Sequence, residues 1–355
     1  MINKKDGKFE IVFKTKNFEE RIPYFTVFIT DYINHSRFIR ALNSVLDQDL
    51  PADLFEIIVL SDDNKKKLDA LPDDISLAII FTGLVKYGKS IGNSLNFAKG
   101  EIICLLDNDD EWERDKLKLL YSYFNIHSDV IFIKNEVKPV SDTKISRFMV
   151  FLKMNIPVKP SGKFYILDDS VPSSILGRAL AHNNSSMSFR KCALLNELGF
   201  LREIDNLQDI SLFIVAALNN GKLAFLDKAL SLYYITSPKS PVKSQSVRDF
   251  EENGGSTAYS NNLDKFLQII ENRLMSCDKN YVKNIIFDFE LISIINLNLK
   301  TSARRKIPIK DLSVFFIHGF RSHSVNKILL LLFYFFNSLA NRKLNRLVGW
   351  RFVQQ

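Results

Sequence analysis

The sequence predicts a doubly wound α/β fold with a mostly parallel sheet, followed by a helical C-terminal extension. In the first third of the chain, short apolar runs rich in β-branched and aromatic residues alternate with segments of helical spacing. Such alternation is typical of parallel sheets that helices cover on both faces. Beyond about residue 256, the spacing of apolar residues indicates several helices, which form the predicted extension.

The first predicted elements form a β-α-β unit. YFTVFIT at residues 24–30 predicts a buried strand, RFIRALNSVLDQ at 37–48 a helix, and FEIIVLS at 55–61 a second strand. A right-handed crossover places two such strands side by side and parallel. The sheet continues with three further elements, which are the strand LAIIF at 77–81, the short helix SIGNSLNFA at 90–98 and the strand GEIICLLD at 100–107.

The composition indicates a folded protein with an anionic partner. Hydrophobic residues make up 46% of the 355 residues and charged residues 25%, which excludes a disordered chain. This length suggests a main domain with an extension. The net charge of +8 favours a phosphorylated metabolite, a lipid headgroup or nucleic acid as the partner.

The cysteines and the N-terminal residues predict a cytoplasmic protein. Cys104, Cys192 and Cys277 are too few and too far apart for a disulfide framework or a metal knuckle. The N-terminal residues are polar and charged, without the apolar segment of a signal peptide. A reducing intracellular compartment is therefore expected.

The octapeptide GLVKYGKS at residues 83–90 fits the pattern of a phosphate-binding P-loop. The side chains of Val85, Lys86 and Tyr87 disfavour the close backbone approach that a phosphate requires, and only residues 91–99 precede the next strand. A P-loop NTPase is therefore a minor alternative. A dinucleotide site is also disfavoured, because TDYINHS after the first strand contains no glycine.

Polar residues follow three of the predicted strands, at the edge of the sheet where ligands bind in such folds. They are Thr30, Asp31 and Tyr32, then Asp62 and Asp63, then Asp107, Asn108, Asp109 and Asp110. Asp107 and Asp109 are spaced to face one divalent cation, and their oxygen ligands suit Mg²⁺ or Mn²⁺. The alternative is that one residue of this turn caps the helix predicted for EWERDKLKLLYSYF.

Four ordered segments between Tyr24 and Tyr234 resemble the family 2 glycosyltransferases. They are FTVFITDYINHSRFIRALNSVLDQDLPADLFEIIVLSDDN, GKSIGNSLNFAKGEIICLLDNDDEWERDKL, NNSSMSFRKCALLNELGFL and QDISLFIVAALNNGKLAFLDKALSLYYI. The resemblance implies the GT-A fold, an inverting reaction, a UDP- or GDP-linked sugar donor, a divalent metal and no nucleic-acid partner. It also implies that GKS leads into a helix, so that Gly83 completes the P-loop pattern by chance.

The resemblance also implies roles for individual residues. Thr30 and Tyr32 would lie beside the nucleotide base and diphosphate, and Asp62 would hydrogen-bond the base. Asp109 would hold the metal, and Asp107 would support both the metal and the donor. The ordinary alternatives are a strand-end aromatic for Tyr32 and a turn residue for Asp62.

Asp209 matches the position of the family's catalytic base, one residue into a helix. A carboxylate there can take the proton of the acceptor hydroxyl as that oxygen attacks the sugar. The alternative is an acid that only stabilises the helix N-terminus. Gln208 stands where the family usually has an acid, and the Arg and His often found after the equivalent of Tyr234 are missing. A catalytically inactive nucleotide-sugar-binding or scaffold protein is therefore the main alternative.

Three parts are expected along the chain. Residues 1–21 are an N-terminal extension, 22–245 the GT-A domain and 246–355 a helical C-terminal region. Within the GT-A domain, 22–135 is the nucleotide-binding half and 136–245 the acceptor-side half. Because no Q-x-x-R-W segment is present, we expect transfer of a single sugar to a glycan or lipid-linked acceptor in cell-surface glycan biosynthesis, rather than processive synthesis.

The C-terminal region contains a candidate membrane-interfacial segment. Residues 328–336 are apolar without interruption, far short of the roughly 20 residues that cross a bilayer as a helix. Basic residues surround this run, namely Arg304, Arg305, Lys306, Arg321, Lys327, Arg342, Lys343 and Arg346. We therefore expect a peripheral contact with an anionic membrane surface, the alternative being a core helix with basic ends.

Overall fold

The computed structural model describes residues 9–31, 35–66, 68, 71–83, 85–140, 160–171, 175, 180, 182–204, 207–234, 268, 270, 273, 277–287 and 313. These residues belong to two compact units. One contains the described residues within Met1–Lys138, Lys159–Leu167 and Ala181–Tyr234. The other contains those within Pro139–Val158, Asp168–Leu180 and Ile235–Gln355, including a helical stretch at 280–287.

The first unit contains a mixed sheet and its covering helices. The strands are β1 Glu10–Lys14, β2 Phe25–Asp31, β3 Phe55–Ser61, β4 Leu77–Phe81, β5 Ile102–Leu106, β6 Glu111–Trp112, β7 Val130–Val140, β8 Phe164–Leu167, β9 Met187–Arg190 and β10 Lys222–Tyr234. The α-helices are α1 Asn17–Glu20, α2 His35–Leu46, α3 Tyr87–Ser94, α4 Lys116–Ile126, α5 Lys191–Asn196, α6 Leu198–Glu203 and α7 Gln208–Ala217. Short 3₁₀ turns occupy Ala52–Leu54 and Asn184–Ser186.

The strand order is β1-β4-β3-β2-β5-β9-β7-β10-β6, with β8 paired to β10. The central strands β4, β3, β2 and β5 are parallel, as the sequence predicts. Every residue of β2 and β3 is buried, because both faces of the central sheet are covered. This explains why these strands are continuous apolar runs rather than alternating ones.

The main core lies between one face of the sheet and helices α2 and α4. Phe38 of α2 and Phe124 of α4 pack with Phe25, Val27 and Ile29 of β2. These side chains are buried, and each contributes roughly 1.5–3 kcal/mol by leaving water. The core therefore fixes β2, whose carboxyl end leads into the candidate site.

Two predicted helices differ from the structure in where they begin. The helix expected from residue 111 begins at Lys116, because Glu111 and Trp112 form β6 opposite Leu232 and Ser231 of β10. The helix expected at 90–98 begins at Tyr87 and ends at Ser94. The region expected as an N-terminal extension contributes β1, which pairs antiparallel with β4.

Two further expectations concern the membrane and the cysteines. Across the described residues, no helix combines the length and apolar content that a bilayer crossing requires. The apolar run 328–336 lies outside the described residues, so the proposed membrane contact stays a prediction. Cys104, Cys192 and Cys277 are free cysteines, of which Cys192 is exposed and the other two are buried.

Candidate active site at the carboxyl edge of the sheet

Strand register brings Thr30 and Asp107 together. Ile29 of β2 pairs with Leu106 of β5, so the next residue of each strand lies at the same edge. Burial raises the pKa of the Asp107 carboxyl, and the neighbouring Thr30 side chain acts in the opposite direction. One residue predicted beside the donor thus lies near one predicted to hold the metal.

The neighbouring strand places Asp62 at the same edge. Asp31 pairs with Ser61, so Asp62 follows directly at the end of β3, where it is partly exposed. Asp31 forms an ion pair with Lys66, which offsets its charge. Tyr32 lies outside the described residues, so its predicted role stays a prediction.

In the turn after β5, Asp109 and Asp110 differ in their exposure to solvent. The backbone N–H of Asp110 donates to the Asp107 carbonyl at 3.1 Å, which closes the turn. The Asp109 side chain is 38% exposed and lies 3.9 Å from an Nη1 atom of Arg37 on α2. Asp110 is buried. Asp109 is therefore more available to a ligand than Asp110.

Asp110 connects the turn to two distant segments. Its Oδ2 accepts hydrogen bonds of 2.7 Å from Asn183 Nδ2 and 2.7 Å from Ser185 Oγ. Its Oδ1 accepts a 3.2 Å bond from the backbone N–H of Tyr234. Burial raises the pKa of Asp110 to about 7, although its hydrogen bonds with Ser185 and Asn183 act in the opposite direction. Asp110 thus holds the turn in place rather than facing a ligand.

Asp209, the predicted base, lies in the first turn of α7. Its Oδ2 accepts a 2.8 Å hydrogen bond from the backbone N–H of Asn183 and lies 3.9 Å from Nδ1 of His182. The side chain is 32% exposed. Asn183 therefore bridges Asp209 and Asp110, because its backbone binds the first and its side chain the second.

The carboxylates at this edge act on one another electrostatically. The pKa of Asp107 is raised well above its ordinary value, first by burial and then by the negative charges of Asp110, Asp209 and Asp109. The pKa of Asp109 is also raised, chiefly by burial, while Arg37 lowers it. The structure thus gathers negative charge that a bound cation would offset.

The acidic residues at this edge offer oxygen ligands for a divalent cation. Over the part of the chain that the structure describes, no three His, Cys, Asp or Glu side chains converge to hold a metal by themselves. Magnesium is commonly bound by only one or two carboxylates together with substrate phosphates. Asp109 and Asp107 supply oxygen ligands within a concentration of negative charge, so they fit a metal bound jointly with a diphosphate.

The Ser185 carbonyl oxygen is the centre of a buried hydrogen-bond network next to the site. It accepts hydrogen bonds of 2.8 Å from Trp112 Nε1, 2.5 Å from Lys116 Nζ and 2.8 Å from Ser231 Oγ. Lys116 is fully buried, lies 4.0 Å over the Trp112 ring, and has its pKa lowered by that burial. The Ser185 hydroxyl also accepts a bond from the backbone N–H of Asp107, so the turn is anchored to this buried network.

The segment that matches the P-loop pattern does not present its amides to a ligand. The N–H of Gly88 donates to the Ile204 carbonyl at 3.1 Å, and the N–H of Ser90 donates to the Lys86 carbonyl at 2.9 Å. A Cβ on Gly88 would lie 1.9 Å from the Leu201 carbonyl oxygen. The glycine therefore permits close packing of α3 against α6, which supports the sequence interpretation of GKS as a helix start.

The residues that connect the site carry no recognisable signal in the sequence. Asp110 stands in the DNDD turn, but the pattern does not distinguish a buried hub from a metal ligand. Asn183 belongs to a segment that resembles the family, yet nothing in that segment indicates its role. His182 and Arg37 give no signal, because their proximity to Asp209 and Asp109 depends on tertiary packing.

Comparison with known proteins relates this geometry to a family. Residues 26–186 match the family described as Glycosyl transferase family 2. The chain is similar to the poly(ribitol-phosphate) beta-N-acetylglucosaminyltransferase TarS of Staphylococcus aureus, with 24% identity over 223 residues. That match covers 60% of this chain and 35% of the relative. The chain thus spans about a third of the length of the curated relative.

Solved structures share the fold. S. aureus TarS 1-349 in complex with UDP matches with a TM-score of 0.52 at 18% identity, covering 92% of this chain and 89% of that chain. S. aureus TarS 1-349 in complex with UDP-GlcNAc matches with a TM-score of 0.52 at 16% identity, covering 87% and 90%. Identities this low establish the fold alone. The predicted fold class is confirmed: the chain has the GT-A fold, and its residues 26–186 match Glycosyl transferase family 2.

Proposed function

We propose that this chain is an inverting glycosyltransferase that moves one sugar from a nucleotide-sugar donor to a glycan or lipid-linked acceptor. One observation above all supports this function. Asn183 links the proposed base Asp209 to Asp110 in the turn that contains Asp109, so an acid–base residue and a candidate metal ligand share one edge of the sheet. This is the arrangement that transfer from a diphosphate leaving group requires.

The proposed reaction is a single displacement. The acceptor hydroxyl attacks the anomeric carbon while Asp209 removes its proton, and the bond to the diphosphate breaks on the opposite face. The configuration at the anomeric carbon is therefore inverted. Asp209 is suited to this role because it is partly exposed and its carboxylate is oriented by the Asn183 N–H.

Asp109 and Asp107 are the residues proposed to hold Mg²⁺ or Mn²⁺. When bound, the metal neutralises charge that develops on the departing diphosphate. Thr30 and Asp62 are proposed to contact the nucleotide, since the register of the parallel strands places both at the same edge as Asp107. Tyr32 is proposed to join them.

The donor we propose first is a UDP-linked sugar, with a GDP-linked sugar as the second choice. Support comes from TarS, whose solved complexes contain UDP and UDP-GlcNAc. The name of TarS refers to poly(ribitol-phosphate), which supports an acceptor within cell-surface glycan biosynthesis. We also propose that residues 22–245 form the catalytic domain and 246–355 a helical region at the cytoplasmic membrane surface.

Asp109→Ala is expected to abolish the metal dependence of nucleoside diphosphate binding. In the unchanged protein, Mn²⁺ or Mg²⁺ should tighten UDP or GDP binding by roughly tenfold or more, because Asp109 would hold the cation and the cation would supply positive charge for the diphosphate. Calorimetric titration of both nucleotides, with each metal and with chelator, measures the effect. Asp49→Ala is the matched control, because Asp49 is a half-exposed acid that pairs with Arg114. Tight binding of the unchanged protein in chelator would contradict the metal proposal.

Lys89→Ala is expected to leave donor turnover largely intact. A P-loop lysine would be needed for nucleotide hydrolysis, but here the amide of the adjacent Gly88 is bonded to Ile204 rather than directed at a ligand. Release of inorganic phosphate from ATP should be at background in both proteins. ATP hydrolysis that disappears in the variant would instead support the NTPase alternative.

A further inference from the structure

We infer that His182 is a positioning residue for Asp209, holding the carboxylate ionised and oriented toward the acceptor. The inference rests on the proposed function, because it takes Asp209 as the base. His182 lies outside the segments that resemble the family, so neither the resemblance nor the site prediction includes it.

His182 and Asn183 both lie close to the same carboxylate oxygen, Oδ2 of Asp209. The backbone N–H of Asn183 donates to Oδ2 of Asp209 at 2.8 Å, and Nδ1 of His182 lies 3.9 Å from that atom. The Nδ1 atom is buried, whereas the imidazole as a whole is 29% exposed. The ring meets Tyr233 edge-on, with centroids 5.9 Å apart and planes at 86°. The imidazole is thus held beside Asp209 by an aromatic contact.

Two strained backbone conformations next to Asp209 support a functional role for this part of the structure. Among the described residues, the non-glycine residues with positive φ are Asn183 at 68° and Leu207 at 54°. Asn183 donates to Asp209, and Leu207 precedes the helix turn that contains Asp209. Such conformations cost free energy and persist only where the surroundings enforce them, typically at functional sites. Both strained residues therefore flank the proposed base.

The charges around this pair explain why a cationic neighbour is useful. Asp107 in the turn after β5 and Lys134 on β7 interact electrostatically with Asp209, and Tyr233 on β10 is influenced by the same carboxylate and by those of Asp110, Asp109 and Asp107. Nearby carboxylates favour the protonated form of an acid, which cannot act as a base. A protonated imidazole next to Oδ2 opposes them and keeps Asp209 ionised.

The rate test compares His182→Gln, which removes the cation, with His182→Phe, which keeps an aromatic ring against Tyr233. Donor turnover is followed as UDP or GDP release, with water as acceptor, on the best nucleotide sugar of a UDP- and GDP-linked panel. Both variants should lower kcat roughly tenfold with donor KM within about twofold. The acid limb of the pH–rate profile should move to higher pH, because Asp209 loses a positively charged neighbour and becomes protonated more easily. The expected shift is only roughly half a unit, because both side chains are about a third exposed and water screens their interaction.

His127→Gln is the matched control. His127 stacks on Phe164 at 5.0 Å and belongs to no part of the proposed site, so its replacement should leave kcat and the acid limb unchanged. An unshifted acid limb together with wild-type kcat in His182→Gln would overturn the inference.

A second measurement does not depend on turnover. The chain has five histidines, so the proton NMR signal of His182 can be identified by its absence in His182→Gln. Its titration midpoint should move to lower pH in Asp209→Asn, because the neighbouring negative charge is lost. An unchanged midpoint overturns the inference even if the enzyme is active. Absence of donor turnover in the unchanged protein would refute the proposed function instead, while the NMR titration still decides whether His182 and Asp209 interact.

Discussion

Asp209→Asn is expected to lower the rate of sugar transfer by roughly 10²–10⁴-fold, the usual contribution of a general base. Asparagine keeps the shape of the side chain and an oxygen that can accept the Asn183 N–H, but it cannot take a proton. Donor affinity should therefore change little. The measurement pairs the transfer rate with donor Kd in the same protein preparation.

Glu203→Gln is the control for this prediction. Glu203 ends α6 shortly before the loop to α7, and it is exposed and close in sequence to Asp209. Its replacement should leave the rate near wild type. If Asp209→Asn weakened donor binding in proportion to activity, Asp209 would have a structural or nucleotide-side role. A near-normal rate would place the base elsewhere. Thermal unfolding of the variant separates lost chemistry from a lost helix-terminal interaction.

Gly88→Ala is expected to lower the free energy of unfolding by about 3 kcal/mol, at the upper end of ordinary overpacking effects. The added Cβ would lie 1.9 Å from the Leu201 carbonyl oxygen and 2.7 Å from the Ile204 Cβ. Backbone cannot move aside as a flexible side chain can, so α3 and α6 must separate. The hydrogen bond from Gly88 to Ile204 would be lost with that separation. Urea unfolding monitored by circular dichroism measures the change.

Gly199→Ala is the matched control for Gly88→Ala, because Gly199 is also a glycine within a helix. Nothing lies within 4 Å of the position that its Cβ would occupy, so alanine there should be neutral or stabilise the protein by up to about 1 kcal/mol. Equal, small effects of both substitutions would show that α3 and α6 are not closely packed. They would also remove the physical reason for Gly88 in the GKS segment.

The central strands could be predicted from sequence because they are buried on both faces. The predicted strands at 55–61 and 77–81 have the bounds of β3 and β4, since a continuous apolar run marks both ends of such strands. The start of α4 could not be predicted in this way. Glu111 and Trp112 have helical neighbours in sequence, but their pairing with β10 more than a hundred residues later makes them a strand.

The site could be predicted from the sequence only where the order of the strands brings its residues together. Thr30 lies at the carboxyl end of β2 and Asp107 directly follows the adjacent parallel strand β5, so topology alone brings them together. The contact between Asp110 and Asn183 joins residues 73 positions apart, and no local pattern specifies it. The same holds for His182 and Asp209, which lie 3.9 Å apart although they are distant in sequence.

The stereochemistry of donor turnover tests the central proposal most directly. The protein is incubated with Mn²⁺ and the UDP- or GDP-linked sugar that it turns over fastest, with water as acceptor. Proton NMR then records the anomeric signal of the first sugar released, before the anomers equilibrate. The single displacement through Asp209 predicts that this sugar has the anomeric configuration opposite to that of the donor, and that Asp209→Asn suppresses its formation. A first product with the donor's configuration would contradict the inverting mechanism and the role of Asp209 as its base.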